Sequence, residues 1–235
     1  MSIILALLIF SVIVIVHELG HFLLAKYNGI TVTEFSVGMG PRLLSHEWRG
    51  TRYSLKILPF GGSCMMVGEE EESDEEGSFG SKSVWARISV VAAGPVFNFL
   101  LAFVLSVIIV ANIGYDDTVV DVTPGYPAAE AGMQDGDRIV RMGGSRTYVY
   151  REISLFNSLH QGQPAEVTYR RGEEEYTIRI TPVKDENGYY RYGFEKINVR
   201  TRGNAFTTAG YSLAELRYWL KATMESLLKL VQGQV

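Results

Sequence analysis

Cysteine is nearly absent from this chain: Cys64 stands alone among 235 residues. A single thiol cannot close an internal disulfide, so no disulfide framework holds the fold. Beside Gly61 and Gly62 it reads as a small packing residue rather than a nucleophile. Clusters of basic residues are missing too, and the net charge is −4, which excludes the electrostatic footprint of a nucleic-acid binder. No lysine or arginine precedes the first apolar run, and no small-residue cleavage site follows it. With the length of that run, these two absences exclude a signal peptide and leave a retained membrane span.

What the chain has in abundance is apolar sequence, 47% of all residues, gathered into two blocks. One runs from Ile3 to Leu24 and the other from about Ile88 to Ile113. Each exceeds the ~20 residues that cross a bilayer core of ~30 Å. Lys26 to Arg87, between them, holds seven Lys or Arg residues, whereas Met1 and Ser2 carry no charged side chain. The positive-inside rule puts that connecting segment in the cytoplasm, and the N-terminus and everything after the second span outside.

Within the connection, "FSVGMGPRLLSHEWRGTRYSLKILPFGG" predicts a β-hairpin turning at Arg49-Gly50, since "TRYSLKIL" alternates polar and apolar residues. The acidic run Glu69 to Glu76 predicts a solvated loop without chemistry. From Asp116 to Val183 the pattern is that of a compact β-rich domain. "TVVDV", "DRIVRM", "AEVTYRR" and "EEYTIRITPV" predict strands and "REISLFNSL" a short helix. Turns fall at Gly136-Asp137, Gly143-Gly144, Arg171-Gly172 and Asp185 to Gly188, the last leading to a strand "YYRYGFE". Leu213, Leu216, Leu220, Met224, Leu227 and Val231 recur at helical spacing, so Leu213 to Val231 predicts an amphipathic helix that packs along the domain or lies on the membrane surface.

The chemistry concentrates in "HELGH", inside the first span. On a helix His17 and His21 lie one turn apart on one face and can converge on one Zn²⁺, with Glu18 beside the metal as general base. Three ionisable side chains within a span are costly and mark a functional site by default. At 1.5 Å per residue, His17 lies ~21 Å along the helix from Ile3, inside the bilayer and toward the cytoplasm. In the second block Gly94 permits close helix approach, and Pro95 removes a backbone donor. Asn98 is a polar group at membrane depth, readable as interhelical hydrogen-bond glue or as a substrate-facing residue.

Taken in order, "HELGH", "FSVGMGPRL", "YSLKILPFGG", "SKSVWARISVVAAGPVFNF" and "PGYPAAEAGMQDGDRIV" resemble the site-2 protease family of intramembrane zinc metalloproteases, the bacterial regulator of sigma-E protease type most of all. The likeness runs along essentially the whole chain. It implies His17 and His21 as zinc ligands and Glu18 as catalytic base, with Gly94, Pro95 and Asn98 in a motif near the active site that contributes to substrate binding. It also implies a membrane-associated hairpin that presents substrate in extended form, and a PDZ-like α+β domain that acts as a size filter and binds exported polypeptide ends. The substrates would be membrane-spanning proteins such as anti-sigma factors.

Two departures stand out. Ser63 occupies a position where an aromatic residue is expected, and the chain has neither the Leu-Asp-Gly motif carrying the family's third zinc ligand nor a third span. The expectation is therefore an N-terminal fragment of a longer multi-pass enzyme of the cell membrane. Its parts would be a first transmembrane helix at 1–26, a cytoplasmic hairpin and acidic loop at 27–87, and a second transmembrane helix at 88–113. A PDZ-like extracytoplasmic domain at 114–200 and an amphipathic helix at 201–235 would follow. The competing expectation is an inactive, membrane-anchored PDZ adaptor, should Val235 be the true terminus. A soluble zinc protease ranks third, because its motif helix would not be apolar all round.

Overall fold

The computed structural model describes residues 2–69, 75–197 and 200–233. Most of the acidic run, residues 70–74, lies outside them, so the loop expected there is only partly described. The chain divides into two compact units, Met1–Ala102 and Phe103–Val235.

The first unit starts with helix α1, Ser2–Tyr27. Strands β1, Val32–Trp48, and β2, Thr51–Met66, follow, and then helix α2, Val84–Ile113, whose first part belongs here. Both helices are long and apolar enough to span a bilayer, and only 11% and 6% of their most apolar windows are buried. An interior helix of a water-soluble protein would bury such a window. Here Leu8, Phe10, Phe99 and Ile109 are exposed, an apolar surface that only lipid or another membrane segment covers without cost. The chain is a membrane protein. Helix α2 begins at Val84, before the expected Ile88, because Ser83 accepts the Ala86 N–H at 3.3 Å and caps the first turn.

The expected hairpin forms, turning at Arg49-Gly50 with φ of 49° and 73°. Two successive positive φ values match a tight two-residue connection, and they place Arg49 in a conformation that few non-glycine residues adopt. The hairpin is more curled than alternation suggested. Each of Glu34 to Val37 has two partners, one in 52–55 and one in 62–65. The chain thus bends back on itself, and among the described residues the sheet ends at 62–66 on one side. Ala25, Ile30, Val32, Cys64 and Val90 form the buried cluster of this unit. The carboxylate of Glu34, almost fully buried, accepts from Arg42 Nε at 2.9 Å and Nη2 at 2.7 Å. That paired guanidinium holds Glu34 down to about 2, from 4.5.

The second unit comprises strand β3, Val120–Val122, helix α3, Pro127–Glu130, strands β4, Arg138–Met142, and β5, Ser145–Arg146, and helix α4, Tyr150–Leu159. Strands β6, Ala165–Arg171, β7, Glu174–Ile180, β8, Val183–Lys184, β9, Tyr190–Arg191, and β10, Phe194–Lys196, follow, then helix α5, Ala205–Val231. One sheet runs β5-β4-β6-β7, and β10 pairs with β3. Val120, Ile139, Met142, Ile153, Val167 and Ile180 are the centre of its core. The α+β class holds, with two differences. The expected strand "YYRYGFE" is two strands with different partners, β9 on β8 and β10 on β3. The break falls at Gly193, whose φ is 94° and whose missing Cβ would stand 2.1 Å from Tyr126 Cβ. Only glycine fits that corner. Helix α5 starts eight residues before the expected Leu213, capped by the Asn204 side chain accepting from the Thr207 N–H.

Candidate metal centre

The helical spacing of His17 and His21 brings their rings within 4.8 Å, centroid to centroid, both half-buried. What faces them is a stripe of α2 at four-residue intervals: Val90, Gly94 and Asn98. His21 Nδ1 lies 2.8 Å from the Val90 carbonyl oxygen. A carbonyl only accepts, so Nδ1 carries the proton and Nε2 keeps its lone pair. Pro95 lacks the N–H that would bond to the carbonyl of Val91, the residue after Val90. His17 Nδ1 lies 3.1 Å from Asn98 Nδ2.

Gly94 shows why a glycine stands between them. A Cβ there would be 2.5 Å from His17 Nε2 and 2.5 Å from His21 Nε2. One point therefore lies equally close to both nitrogens, and only a residue without a side chain leaves it open. Gly20 repeats the device from the other helix: its Cβ would meet the Ala93 carbonyl oxygen at 2.5 Å. Gly20 lets α1 touch the backbone of α2 at this level, and Gly94 makes room for the two imidazoles.

Glu18 points toward the sheet edge. Its Oε2 accepts the backbone N–H of Cys64 at 2.9 Å. The Cys64 thiol is buried, and burial first, Glu18 second, pushes it up to about 12, away from the thiolate form. Ser63, in place of an aromatic residue, lies with its hydroxyl 2.8 Å from that of Ser36.

Zinc of the catalytic kind takes three protein ligands. The two imidazoles fit that chemistry, because their Nε2 atoms converge on a volume kept free of side chains. Among the described residues no third His, Cys, Asp or Glu joins them in a metal-binding group. His46 is exposed beside the hairpin turn, and His160 stacks on Phe156 with Nδ1 at 3.0 Å from its carbonyl oxygen. Of the expected site residues, His17, His21, Glu18, Gly94 and Asn98 come together, while Pro95 is exposed. The Val90 carbonyl and the Cys64 N–H belong to the same constellation, but backbone groups carry no signature in sequence. Gly94 was the legible sign of close helix approach, and Gly20 within "HELGH" is its counterpart on α1.

A cavity of about 860 Å³ belongs to the second unit. Tyr150, Ile153 and Asn157 of α4 line one side, and Tyr190, Gly193 and Phe194 the other.

The profile of peptidase family M50 matches residues 5–235. Three curated bacterial proteins, each named a "putative zinc metalloprotease", are similar to the chain. That of Clostridium perfringens is 40% identical over 194 residues, covering 82% of this chain and 58% of its own. That of Clostridium acetobutylicum is 36% identical, covering 77% and 58%. That of Campylobacter jejuni is 31% identical, covering 97% and 66%. The chain thus spans about three fifths of the length of these relatives. The PDZ domain of the SdrC-like protein from Listeria monocytogenes aligns with 37% of this chain and 93% of its own, at 22% identity and a TM-score of 0.31.

Proposed function

The chain belongs to peptidase family M50, and from that premise we propose that it carries two zinc ligands and the general base of an intramembrane zinc endopeptidase. The observation that supports this most is the convergence of the His17 and His21 Nε2 atoms on the space left by Gly94, with Glu18 one residue away. His17 and His21 hold the zinc, which supplies Lewis acidity toward a peptide carbonyl and acidifies water beside it. Glu18 would keep Oε2 on the Cys64 N–H and take on Oε1 a proton from the water whose oxygen adds to the peptide carbonyl carbon, then pass that proton to the amine nitrogen as the C–N bond breaks. The apolar helices around the site exclude bulk water from the carboxylate.

The substrates in this reading are membrane-spanning segments, anti-sigma factors among them, unwound before cleavage. The sheet ends at 62–66, next to Glu18, and an extended segment pairing there would bring its carbonyls toward the two histidines. Residues 1–26 and 88–113 span the bilayer. Residues 27–87 face the cytoplasm, and the N-terminus and the PDZ-like domain at 114–200 lie outside. The α4–β10 cleft of that domain takes exported polypeptide ends, and 201–235 leads toward further spans. A membrane-anchored adaptor without activity is the second reading.

Glu18→Gln in the full-length protein separates the two. Cleavage of a transmembrane reporter should fall below detection while bound zinc, measured by metal analysis, stays stoichiometric. His17→Ala and His21→Ala should lose both. Undiminished cleavage by the Glu18→Gln protein would sink the mechanism, and absence of zinc from the wild type would favour the adaptor.

A further inference from the structure

Asn98 is more than a polar group on α2. Its Oδ1 is buried without a hydrogen-bond partner, while its Nδ2 lies 3.1 Å from His17 Nδ1. In that orientation the amide donates to Nδ1 and forces the ring proton onto Nε2, the nitrogen aimed at Gly94. A half-turn of the amide exchanges two groups of nearly equal size without moving the backbone. It turns Oδ1 onto the Nδ1–H of His17 and frees the Nε2 lone pair, while the amide Nδ2 takes the position that Oδ1 held. His21 already has this arrangement, with the Val90 carbonyl accepting its Nδ1–H at 2.8 Å.

We infer that Asn98 is a positioning residue for His17, its side-chain carbonyl accepting the Nδ1–H and so holding the Nε2 lone pair toward the space at Gly94. The inference rests on reading His17 as a zinc ligand. One helix thereby sets the tautomer of both histidines, through a backbone carbonyl at Val90 and a side-chain carbonyl two turns on. A second partner behind a ligating histidine fixes its orientation and raises its basicity, and loss of such a partner typically lowers metal affinity by about 10–100-fold.

Two measurements on the full-length protein in detergent decide it. Histidine-labelled ¹⁵N spectra of the metal-free protein at about pH 8, where unperturbed imidazole is neutral, distinguish the two tautomers, with His17→Ala assigning the signal. His17 should appear as the Nδ1–H form; an Nε2–H form overturns the inference and needs no Asn98 variant to do so. Zinc competition against a chelator should then show Asn98→Leu weakened by about 10–100-fold. Asn98→Asp, whose carboxylate accepts the same proton, should stay within about threefold of the wild type by the same logic. Equal affinity in the Leu variant also overturns the inference. If wild-type protein binds no zinc while His17 is the Nδ1–H form, the metalloprotease reading fails and the hydrogen-bond assignment stands.

Discussion

Around His17 and His21, polar side chains in the first unit lean largely on backbone groups. Val90 serves His21, Cys64 serves Glu18, and Ser11 bonds to the carbonyls of Leu7 and Pro59. In the second unit guanidinium groups join the backbone as partners: Asp137 accepts from Arg171 at 2.8 and 2.7 Å as well as from the Gln134 N–H, Asp117 accepts from Arg138 as well as from the Thr118 N–H, and buried Glu152 accepts from the Tyr148 N–H. The difference follows from what each unit has to bury. An apolar span offers few side-chain partners, so backbone carbonyls and N–H groups serve in their place. The β-rich unit has a core of its own and can hold ion pairs at its margin.

Two glycines within helices sharpen this contrast. Gly94 has both imidazoles against its missing Cβ, whereas Gly210 in α5 has nothing within 4 Å. Gly94→Ala should displace both rings and lower zinc affinity about 100-fold or more, beyond the usual cost of losing a partner behind one ligand; chelator competition measures it. Stoichiometric, tight zinc in that variant would break the comparison. Ile139→Ala, at a fully buried core position, should destabilise the second unit by about 2–5 kcal/mol, read from amide exchange of β4 and β6, and leave zinc binding alone.

The hairpin supplies a pH-dependent test. Because Glu34 is held at about 2 against an ordinary 4.5, its contribution is fully present above 4.5 and disappears as pH falls toward 2. With Arg42 half exposed, the effect should be about 1 kcal/mol, seen as faster exchange of β1 and β2 amides in acid. Glu34→Gln should flatten that dependence. Smallest of all, Gly210→Ala should stabilise α5 by up to about 1 kcal/mol, visible as slower exchange in that helix. The same substitution that ruins one helix would then improve another.

Periodicity and motif spacing were enough to find both apolar helices, the hairpin with its turn at Arg49-Gly50, the strand Ala165–Arg171 and the histidine pair. These are local properties: hydropathy over a window, alternation along a strand, and one helical turn between two histidines. The split of "YYRYGFE" into β9 and β10 was not legible, because the need for a corner at Gly193 comes from Tyr126, far away in sequence. Nor was the double pairing of Glu34 to Val37, which depends on how the chain curls back.

By itself, then, the sequence determined that His17 and His21 share a helix face within an apolar span, since a spacing of four residues on a helix leaves no other arrangement. Tertiary structure alone decided what stands behind and between them: the Val90 carbonyl, the empty volume at Gly94, the Asn98 amide and the Cys64 N–H. Those groups reach the site from α2 and β2, and their identity depends on how closely Gly20 and Gly94 let two helices approach. A backbone carbonyl has the same chemistry at every residue, and only packing selects which one is used.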